Sequence, residues 1–454
     1  MSVNYGKKLF GKRVRTIERT YDKFFVGKGK GEKNALFSAQ AKGCDCAGGV
    51  LKRGVGVKPF LINGEVPKIA DSSARLFLAT EEVDGERVER FGYIAKNGFA
   101  YVFDDATGVF ENIGVLSNGV GVGATDKDGA HVPIFVCDYG IYRLNQGTLS
   151  YVSDIPCQAV ACFCGGRVFA VSENFSLIYS APYEPKDFSE SVDGGGRIFL
   201  RDDCGKIVGL VPMKNKLCVL FEHGITLLDV SGGARSFVRK DVVYGGDKIL
   251  LGTACAGNVG GEKVFFLTHS GVSCFDGVKV ERMGENLSMD IAENSICSCA
   301  FAFGKYFASY TDKENVKRTA IIDAESGMGY EQIAFSGLFS NNATVIGVYE
   351  TTVYQLACDG VLPTGQEGVF VAETDFDVRG IKTIRKLRFM GEGAFDITIC
   401  NGRNTLKKSV ELVNGSAEIR VDLRGERFSL SIQPSANCEI RKLCATIQTL
   451  SGVN

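Results

Sequence analysis

The sequence predicts an all-β protein: a six- or seven-bladed β-propeller followed by a small C-terminal β-sandwich. Apolar runs of about four to seven residues, rich in Val, Ile, Phe and Tyr, are broken by Gly, Asn or Asp, which is typical of short strands joined by tight turns. Glycine is abundant, at 56 of 454 residues. The same strand-and-turn pattern recurs about every 42 residues, which is the spacing of four-stranded propeller blades.

The recurring unit consists of an apolar strand, a short turn ending in glycine, a second apolar strand, another turn and a third strand. Its clearest copies lie at residues 91–113, 133–152, 217–238 and 264–283. The turn glycines are expected to have a positive φ, which a β-branched residue would adopt only with strain. The structural turns assigned in this way are at Gly98, Gly140, Gly224, Gly271 and Gly277. Two stacked β-sandwiches would give a similar spacing and are the alternative fold.

From about residue 366 the pattern changes to six longer strands in which apolar and polar residues alternate, such as KTIRKLRFM and AFDITIC. Such alternation predicts strands with one buried and one exposed face, as in a β-sandwich or a jelly roll. We therefore divide the chain into a basic N-terminal arm (1–34), a β-propeller (35–365) and a C-terminal β-sandwich (366–454).

Charge is balanced over the chain, with 52 Lys and Arg against 53 Asp and Glu, which argues against a surface that coats DNA or a membrane with the whole molecule. The first 60 residues differ, because they hold 14 basic and four acidic residues. The aromatic residues among these charges suggest an arm that orders on a neighbouring subunit. A solvated, fraying tail is the alternative. The interface residues proposed on this basis are Lys7, Lys8, Phe10, Lys12, Arg13, Arg15, Tyr21, Phe24 and Phe25.

The sequence contains no recognisable catalytic or metal-binding motif. The 16 cysteines are scattered from Cys44 to Cys444 and no apolar leader follows Met1, so we expect reduced thiols. Cys-x-x-Cys pairs, a phosphate-binding loop, a His-Glu-x-x-His helix and a Gly-x-Ser-x-Gly elbow do not occur. We therefore predict no metal, no cofactor, no catalytic residues and no enzymatic activity. No apolar stretch approaches about 20 residues, so membrane insertion is not expected.

Two segments resemble the propeller proteins of tailed-bacteriophage virions, of the tail-hub or packaged-DNA-stabilisation type. They are GKIVGLVPMKNKLCVLFEHGITLLDV (205–230) and GEKVFFLTHSGVSCFDGVKVERM (261–283). The second has the family's form of Gly-Val, an aromatic residue and Asp-Gly, which is filled by Gly271, Val272, Phe275, Asp276 and Gly277. LIYSAPYEPKDFSE (177–190) is similar to a further segment of the family, and the C-terminal domain is similar to its closing module.

The resemblance implies a structural virion protein at the neck or tail, a tail hub or nozzle, that is assembled in the host cytoplasm. It would form a homo-oligomeric ring, a hexamer or a multiple of it, below the phage portal or adaptor and in contact with other tail proteins. The ring would continue the DNA channel and retain packaged DNA without sequence specificity. The alternatives are a propeller protein that binds or cleaves polysaccharide and an intracellular propeller scaffold.

Overall fold

The structure is a computed structural model. It describes the chain except for residues 1–3, 10, 11, 27–33, 39, 63, 72, 173–175, 192, 193, 201, 202, 215, 232–236, 333, 334, 342, 343, 359, 361, 363–367 and 452–454. The described residues form β-strands throughout, with a single short 3-10 turn at Ala47–Gly49. In this part of the chain no helix is long and apolar enough to cross a membrane.

Eight strands lie in the described part of the first 60 residues. They are β1 (Asn4–Leu9), β2 (Lys12–Tyr21), β3 (Lys23–Val26), β4 (Ala35–Ser38), β5 (Gln40–Lys42), β6 (Cys44–Asp45), β7 (Leu51–Arg53) and β8 (Gly56–Pro59).

Twenty strands follow as five separate four-stranded antiparallel sheets, in which each strand pairs with the next along the chain. The first sheet contains β9 (Arg75–Val83), β10 (Glu86–Ile94), β11 (Phe99–Asp104) and β12 (Val109–Val115). The second contains β13 (Val120–Thr125), β14 (His131–Cys137), β15 (Gly140–Asn145) and β16 (Thr148–Ser153). The third contains β17 (Cys157–Cys164), β18 (Arg167–Ser172), β19 (Ser176–Tyr179) and β20 (Gly196–Phe199). The fourth contains β21 (Ile207–Met213), β22 (Lys216–Phe221), β23 (Gly224–Asp229) and β24 (Val238–Val242), and the fifth β25 (Cys255–Asn258), β26 (Glu262–Thr268), β27 (Gly271–Phe275) and β28 (Val280–Met283).

Two further groups of four strands complete this propeller-like body. The sixth contains β29 (Ser298–Ala302), β30 (Lys305–Thr311), β31 (Lys317–Asp323) and β32 (Gly329–Gln332). The seventh contains β33 (Ser336–Asn341), β34 (Thr344–Tyr349) and β35 (Thr352–Ala357), and its fourth strand is the N-terminal β8, which pairs antiparallel with β35. The last group of four therefore joins the two ends of this region.

The hydrophobic core of this body lies between the sheets. Seven clusters of buried side chains each join two consecutive sheets, and one of them places Leu76 and Phe91 of the first sheet with Val348 and Val353 of the seventh. Because both faces of a sheet are covered, its middle strands are continuous apolar runs. In β22, every residue from Leu217 to Phe221 is fully buried.

The C-terminal strands are β36 (Val369–Thr374), β37 (Lys382–Glu392), β38 (Ala394–Cys400), β39 (Thr405–Glu411), β40 (Ser416–Gly425), β41 (Phe428–Pro434) and β42 (Glu439–Ser451). They form parts of two sheets. One has the order β1-β2-β42-β37-β40, with β7 also paired to β42 and β6 to β7. The other continues the sixth group, in the order β29-β30-β31-β32-β5-β36-β41-β38-β39.

These two sheets share one core, to which both ends of the chain contribute. Ile17, Tyr21 and Phe24 from the N-terminal strands lie in it with Phe370 and Leu443. The core forms because apolar and polar residues alternate along these strands, so that each strand has one apolar face. In β37, Ile384, Leu387 and Phe389 are buried, and a bulge after Ile384 shifts the alternation by one residue. Between β4 and β7, strand β5 pairs with β36 and strand β7 with β42. Strand β4 pairs with β3, β6 pairs with β7, and β5 also makes one contact with β32.

Candidate interaction surface

The basic N-terminal segment lies in a sheet of its own chain. Strand β2 pairs antiparallel with β42, from Arg13 opposite Ser451 to Tyr21 opposite Leu443, and β1 pairs with the other side of β2. The sequence-based division makes residues 1–34 an arm, because the segment is too polar to form a core alone. The segment does not need to form a core alone, since β42 and β37 supply the rest of the core. Among the described strands, β1 is paired on one side only and is the edge of this sheet.

The predicted interface residues separate into two groups. Lys7 and Lys8 are in β1, Lys12, Arg13 and Arg15 are in β2, and Phe10 falls outside the described residues. Tyr21, Phe24 and Phe25 are the aromatic group. Tyr21 is 3% exposed and Phe24 is fully buried, whereas Phe25 is half-buried.

The two buried aromatic rings contact the C-terminal strands. The ring of Tyr21 lies 6.1 Å from that of Phe376, and the ring of Phe24 lies 5.8 Å from that of Phe370, both edge to face. The Tyr21 hydroxyl donates to Oδ2 of Asp377 at 3.3 Å. Burial, followed by the Asp377 charge, raises the pKa of Tyr21 far above its ordinary value. Both side chains are therefore part of this chain's own core and are not available as anchors on another subunit.

A buried ion cluster joins the propeller-like body to the C-terminal domain. The Lys305 ammonium, at the start of β30, lies 2.8 Å from Oδ2 of Asp45 and 3.1 Å from Oδ2 of Asp323. Burial disfavours the Lys305 charge, but the two carboxylates outweigh it and raise its pKa. Sequence reasoning missed this cluster because its members are separated by up to 278 positions and follow no motif.

A second buried charge lies in the third sheet. Arg167 is 3% exposed, and its Nη1 donates to the carbonyl oxygens of Ser180 at 2.8 Å and Gly194 at 2.9 Å. Its guanidinium carbon lies 5.3 Å from the ring centre of Tyr179 and 5.8 Å from that of Phe237. Burial lowers the pKa of Arg167. Among the described residues, carbonyl oxygens and aromatic faces thus surround and stabilise this cation.

The first strands of the seven groups contact one another in sequence, and the first strand of the seventh contacts that of the first. They carry small and apolar half-buried side chains, among them Ala161, Cys299 and Phe301. Within the described part of the chain, no group of three or more His, Cys, Asp or Glu side chains could hold a metal ion. All sixteen cysteines are thiols, and burial raises the pKa of most of them, to about 12 at Cys157 and Cys438.

The turn glycines are constrained in two different ways. Gly98, Gly140, Gly271 and Gly277 have φ values of 87°, 137°, 130° and 95°. Gly224 does not have a positive φ, which corrects the expectation for that turn. A Cβ there would lie 2.6 Å from Sγ of Cys204, so close packing is what requires glycine.

No family model and no curated protein matches the chain. Among solved structures, a fungal alcohol oxidase of the AA5 family, in complex with copper, aligns with 81% of this chain and 92% of its own length, at 11% identity and a TM-score of 0.43. This finding contradicts the sequence-based prediction that the chain is not an enzyme, and that prediction is withdrawn. A likeness at this level assigns neither copper nor an oxidase activity to the chain. The structure is all-β and propeller-like, with many four-stranded antiparallel sheets.

Proposed function

We propose that the chain is a structural protein of a tailed-bacteriophage virion and forms a ring at the neck or tail, as a tail hub or nozzle. The resemblance of residues 205–230 and 261–283 to this class of proteins supports the proposal. The two segments correspond to β21–β23, the first three strands of the fourth sheet, and β26–β28, the last three strands of the fifth. The ring would continue the DNA channel below the portal or adaptor and retain packaged DNA.

The fold that goes with this proposal is a seven-bladed propeller followed by a β-sandwich. Seven groups of four strands and seven clusters between consecutive groups support the blade number. Strand β8 would close the circle by completing the last blade with a strand from the other end of the region. In the sandwich, β1-β2-β42-β37-β40 would pack on β36-β41-β38-β39.

The open edge of β1 is the observation that supports assembly with other copies of the chain. Its backbone N–H and C=O groups on the side away from β2 have no strand partner among the described residues. Such an edge readily pairs with a strand of another subunit. Lys7 and Lys8 lie on this strand and remain part of the proposed contact with a neighbouring copy. Tyr21 and Phe24 do not take part in that contact, because they are buried in the subunit's own core.

The proposed partners are further copies of the chain, the portal or adaptor and other tail proteins. DNA would pass without being read, because sequence recognition needs donors and acceptors at base edges. A ring of six or a multiple of six follows from the resemblance.

The test compares the full chain with a variant that lacks residues 2–9 and so keeps β2 and its pairing with β42. Light scattering measures the mass of each in solution, and mass spectrometry of purified virions detects incorporation. We expect the full chain to form closed rings and to be present in particles, and the variant to stay monomeric with a wild-type circular dichroism spectrum. A variant that assembles normally would refute the role of β1, and absence of the full chain from virions would refute the function.

A further inference from the structure

Two cysteines lie close together on the first strands of the fifth and sixth groups. Cys255 begins β25, and Cys299 is the second residue of β29, which contacts β25. Both side chains are partly buried and pack against the cluster between these two groups.

The neighbouring residues determine how the two strands are aligned. Phe265, which pairs with Cys255 across β25 and β26, stacks on Phe301 with ring centres 5.1 Å apart. A Cβ at Gly257 would lie 2.5 Å from the Phe301 ring, so the two strands approach closely there. Gly257 lies two residues after Cys255, and Phe301 two residues after Cys299. Because side chains two residues apart on a strand share a face, Cys255 lies against Cys299 as Gly257 lies against Phe301.

The two thiols interact directly. The Cys255 thiol donates a hydrogen bond to Cys299, and this bond, together with burial, raises the pKa of Cys255 well above its ordinary value. A raised pKa leaves little of Cys255 as the thiolate, so we assign Cys255 as the second sulfur to react and Cys299 as the attacking one.

Exposure distinguishes this pair from the other cysteines that lie near one another. Cys255 and Cys299 are both half-buried, whereas Cys44, Cys162 and Cys218 are 8% exposed or less. Partial exposure of both residues is what favours this pair over the fully packed cysteines.

We propose that Cys255 and Cys299 form a reversible disulfide that links the fifth and sixth groups of strands, by exchange with a small-molecule disulfide such as glutathione disulfide. The Cys299 thiolate attacks one sulfur of the reagent, and the other sulfur leaves as a thiolate. Cys255 then loses its proton to water and attacks the Cys299 sulfur, which expels the second reagent thiolate. The two cysteines lose two electrons and two protons in total, and the reagent is reduced to two thiols.

Cys297 is the competing partner, because it lies two residues before Cys299. Its thiol is directed at Ser295, 3.3 Å from the hydroxyl oxygen and 3.5 Å from the carbonyl oxygen. These contacts hold it away from Cys255. The Cys297→Ser variant is therefore a matched control that should leave the disulfide intact.

The experiment treats the full chain with glutathione disulfide near pH 8, alkylates the remaining thiols and maps the peptides by mass spectrometry. We expect a peptide that joins Cys255 to Cys299, a mass decrease of about 2 Da for the two lost hydrogen atoms, and reversal by a dithiol. The Cys255→Ser variant should accumulate a mixed disulfide at Cys299, and the Cys299→Ser variant should give neither product at this site.

The exposed Cys358 reports whether the reagent was active. If Cys358 is fully modified while Cys255 and Cys299 are both recovered as thiols, the proposal is refuted. Recovery of a Cys255–Cys297 link would refute it as well. Neither outcome depends on whether the protein belongs to a virion.

Discussion

Gly271 and Gly224 occupy equivalent turns of neighbouring sheets, yet different forces require glycine at the two positions. At Gly271 the backbone has a φ of 130°, and a Cβ added there would have Arg282 Nη2 as its nearest atom at 3.8 Å, an ordinary contact. At Gly224 the φ is not positive, but a Cβ would meet Cys204 at 2.6 Å. Backbone strain acts in the first case and steric overlap in the second.

Second-site substitutions can distinguish backbone strain at Gly271 from steric overlap at Gly224. We expect Gly271→Val and Gly224→Val each to lower the free energy of unfolding by at least about 1 kcal/mol. Cys204→Gly should partly restore stability to the Gly224→Ala variant, because it removes the atoms that the new Cβ meets. Met289 Sδ would lie 4.0 Å from a Cβ at position 271. Met289→Ala should nevertheless not rescue Gly271→Val, since strain at the backbone is independent of that neighbour. Urea denaturation of single and double variants measures both, and equal rescue at the two sites would contradict the distinction.

Phe24 provides a test of whether the N-terminal segment belongs to the C-terminal core. Its ring is fully buried against Phe370. We expect Phe24→Ala to lower the free energy of unfolding by about 3–5 kcal/mol, as for other buried aromatic residues. Phe199→Ala is the matched control, because Phe199 is 71% exposed and should change stability by less than about 0.5 kcal/mol. A near-zero effect of Phe24→Ala would mean that the segment is a detached tail.

Among the strand groups, β30 has a particular role because Lys305 at its start holds the two parts of the molecule together. The ammonium bridges Asp323 at the end of β31 in the propeller-like body and Asp45 in β6, which pairs with β7 of the C-terminal domain. The Lys305 side chain is only 11% exposed, so its charge is compensated almost entirely by these two carboxylates. Removing one partner of such a buried cluster leaves an uncompensated charge, which is the costly case.

The cluster predicts a pH dependence of stability. Burial opposes ionisation of Asp323, but hydrogen bonds from Ser326 and the Lys305 charge outweigh it and hold the pKa of Asp323 below its ordinary 3.8. A carboxylate with a lowered folded-state pKa stabilises the protein above its unfolded-state pKa, and this stabilisation is lost as the pH falls through the folded-state value. Lys305, with a raised pKa, contributes fully below 10.5 and loses its contribution at higher pH.

We therefore expect the ion cluster to stabilise the junction between about pH 4 and 10. At pH 7, Lys305→Ala should lower the free energy of unfolding by about 2 kcal/mol, less than for a fully buried pair because Asp323 is partly exposed. The difference between wild type and variant should shrink as the pH is lowered from 5 to 3. Urea unfolding across this range measures it, and Lys313→Ala, at a well-exposed ion pair, is the control. A difference that does not change with pH would contradict this account.

The molecule as a whole is held together by strands that come from distant parts of the chain. Strand β8 completes the seventh group of four, and β2 lies between β1 and β42 in the C-terminal domain. The chain therefore leaves the C-terminal domain after β7, forms the propeller-like body and returns to the domain at β36. The seventh group therefore needs strands from both ends of the propeller-like region, and the C-terminal domain needs strands from both ends of the chain.

Strand β8 should consequently affect the first sheet as well as the last. Val57 in β8 is 2% exposed, and Val57→Ala should cost about 2 kcal/mol through the lost methyl groups and the cavity. If β8 closes the circle, hydrogen exchange should accelerate in β9 and β10 as well as in β34 and β35. Val238→Ala, at a side chain that is 65% exposed, is the control. Acceleration confined to β33–β35 would show that closure does not depend on this strand.

Much of the all-β architecture could be predicted from the sequence, because it depends on neighbouring residues. Apolar runs such as Leu217–Phe221 specify strands buried on both faces, and the recurring turns specify antiparallel neighbours; the structure confirms an all-β chain with many four-stranded antiparallel sheets. The alternation in β37 likewise indicated a strand with one buried face. These signals are local, which is why the sequence alone carries them.

The placement of the N-terminal segment, the ion cluster and the packing at Gly224 depended on contacts that no local pattern encodes. The residues of β2 alternate as a strand, but nothing in them specifies β42 as their partner more than 420 positions away. Tyr21 and Phe24 were recognised as anchors, and only the assembled sheets show that they bury against Phe376 and Phe370 of the same chain. Strand pairing is carried by backbone groups that every residue shares, so the partner is chosen by which assembly buries the most apolar surface, and that is a property of the folded chain.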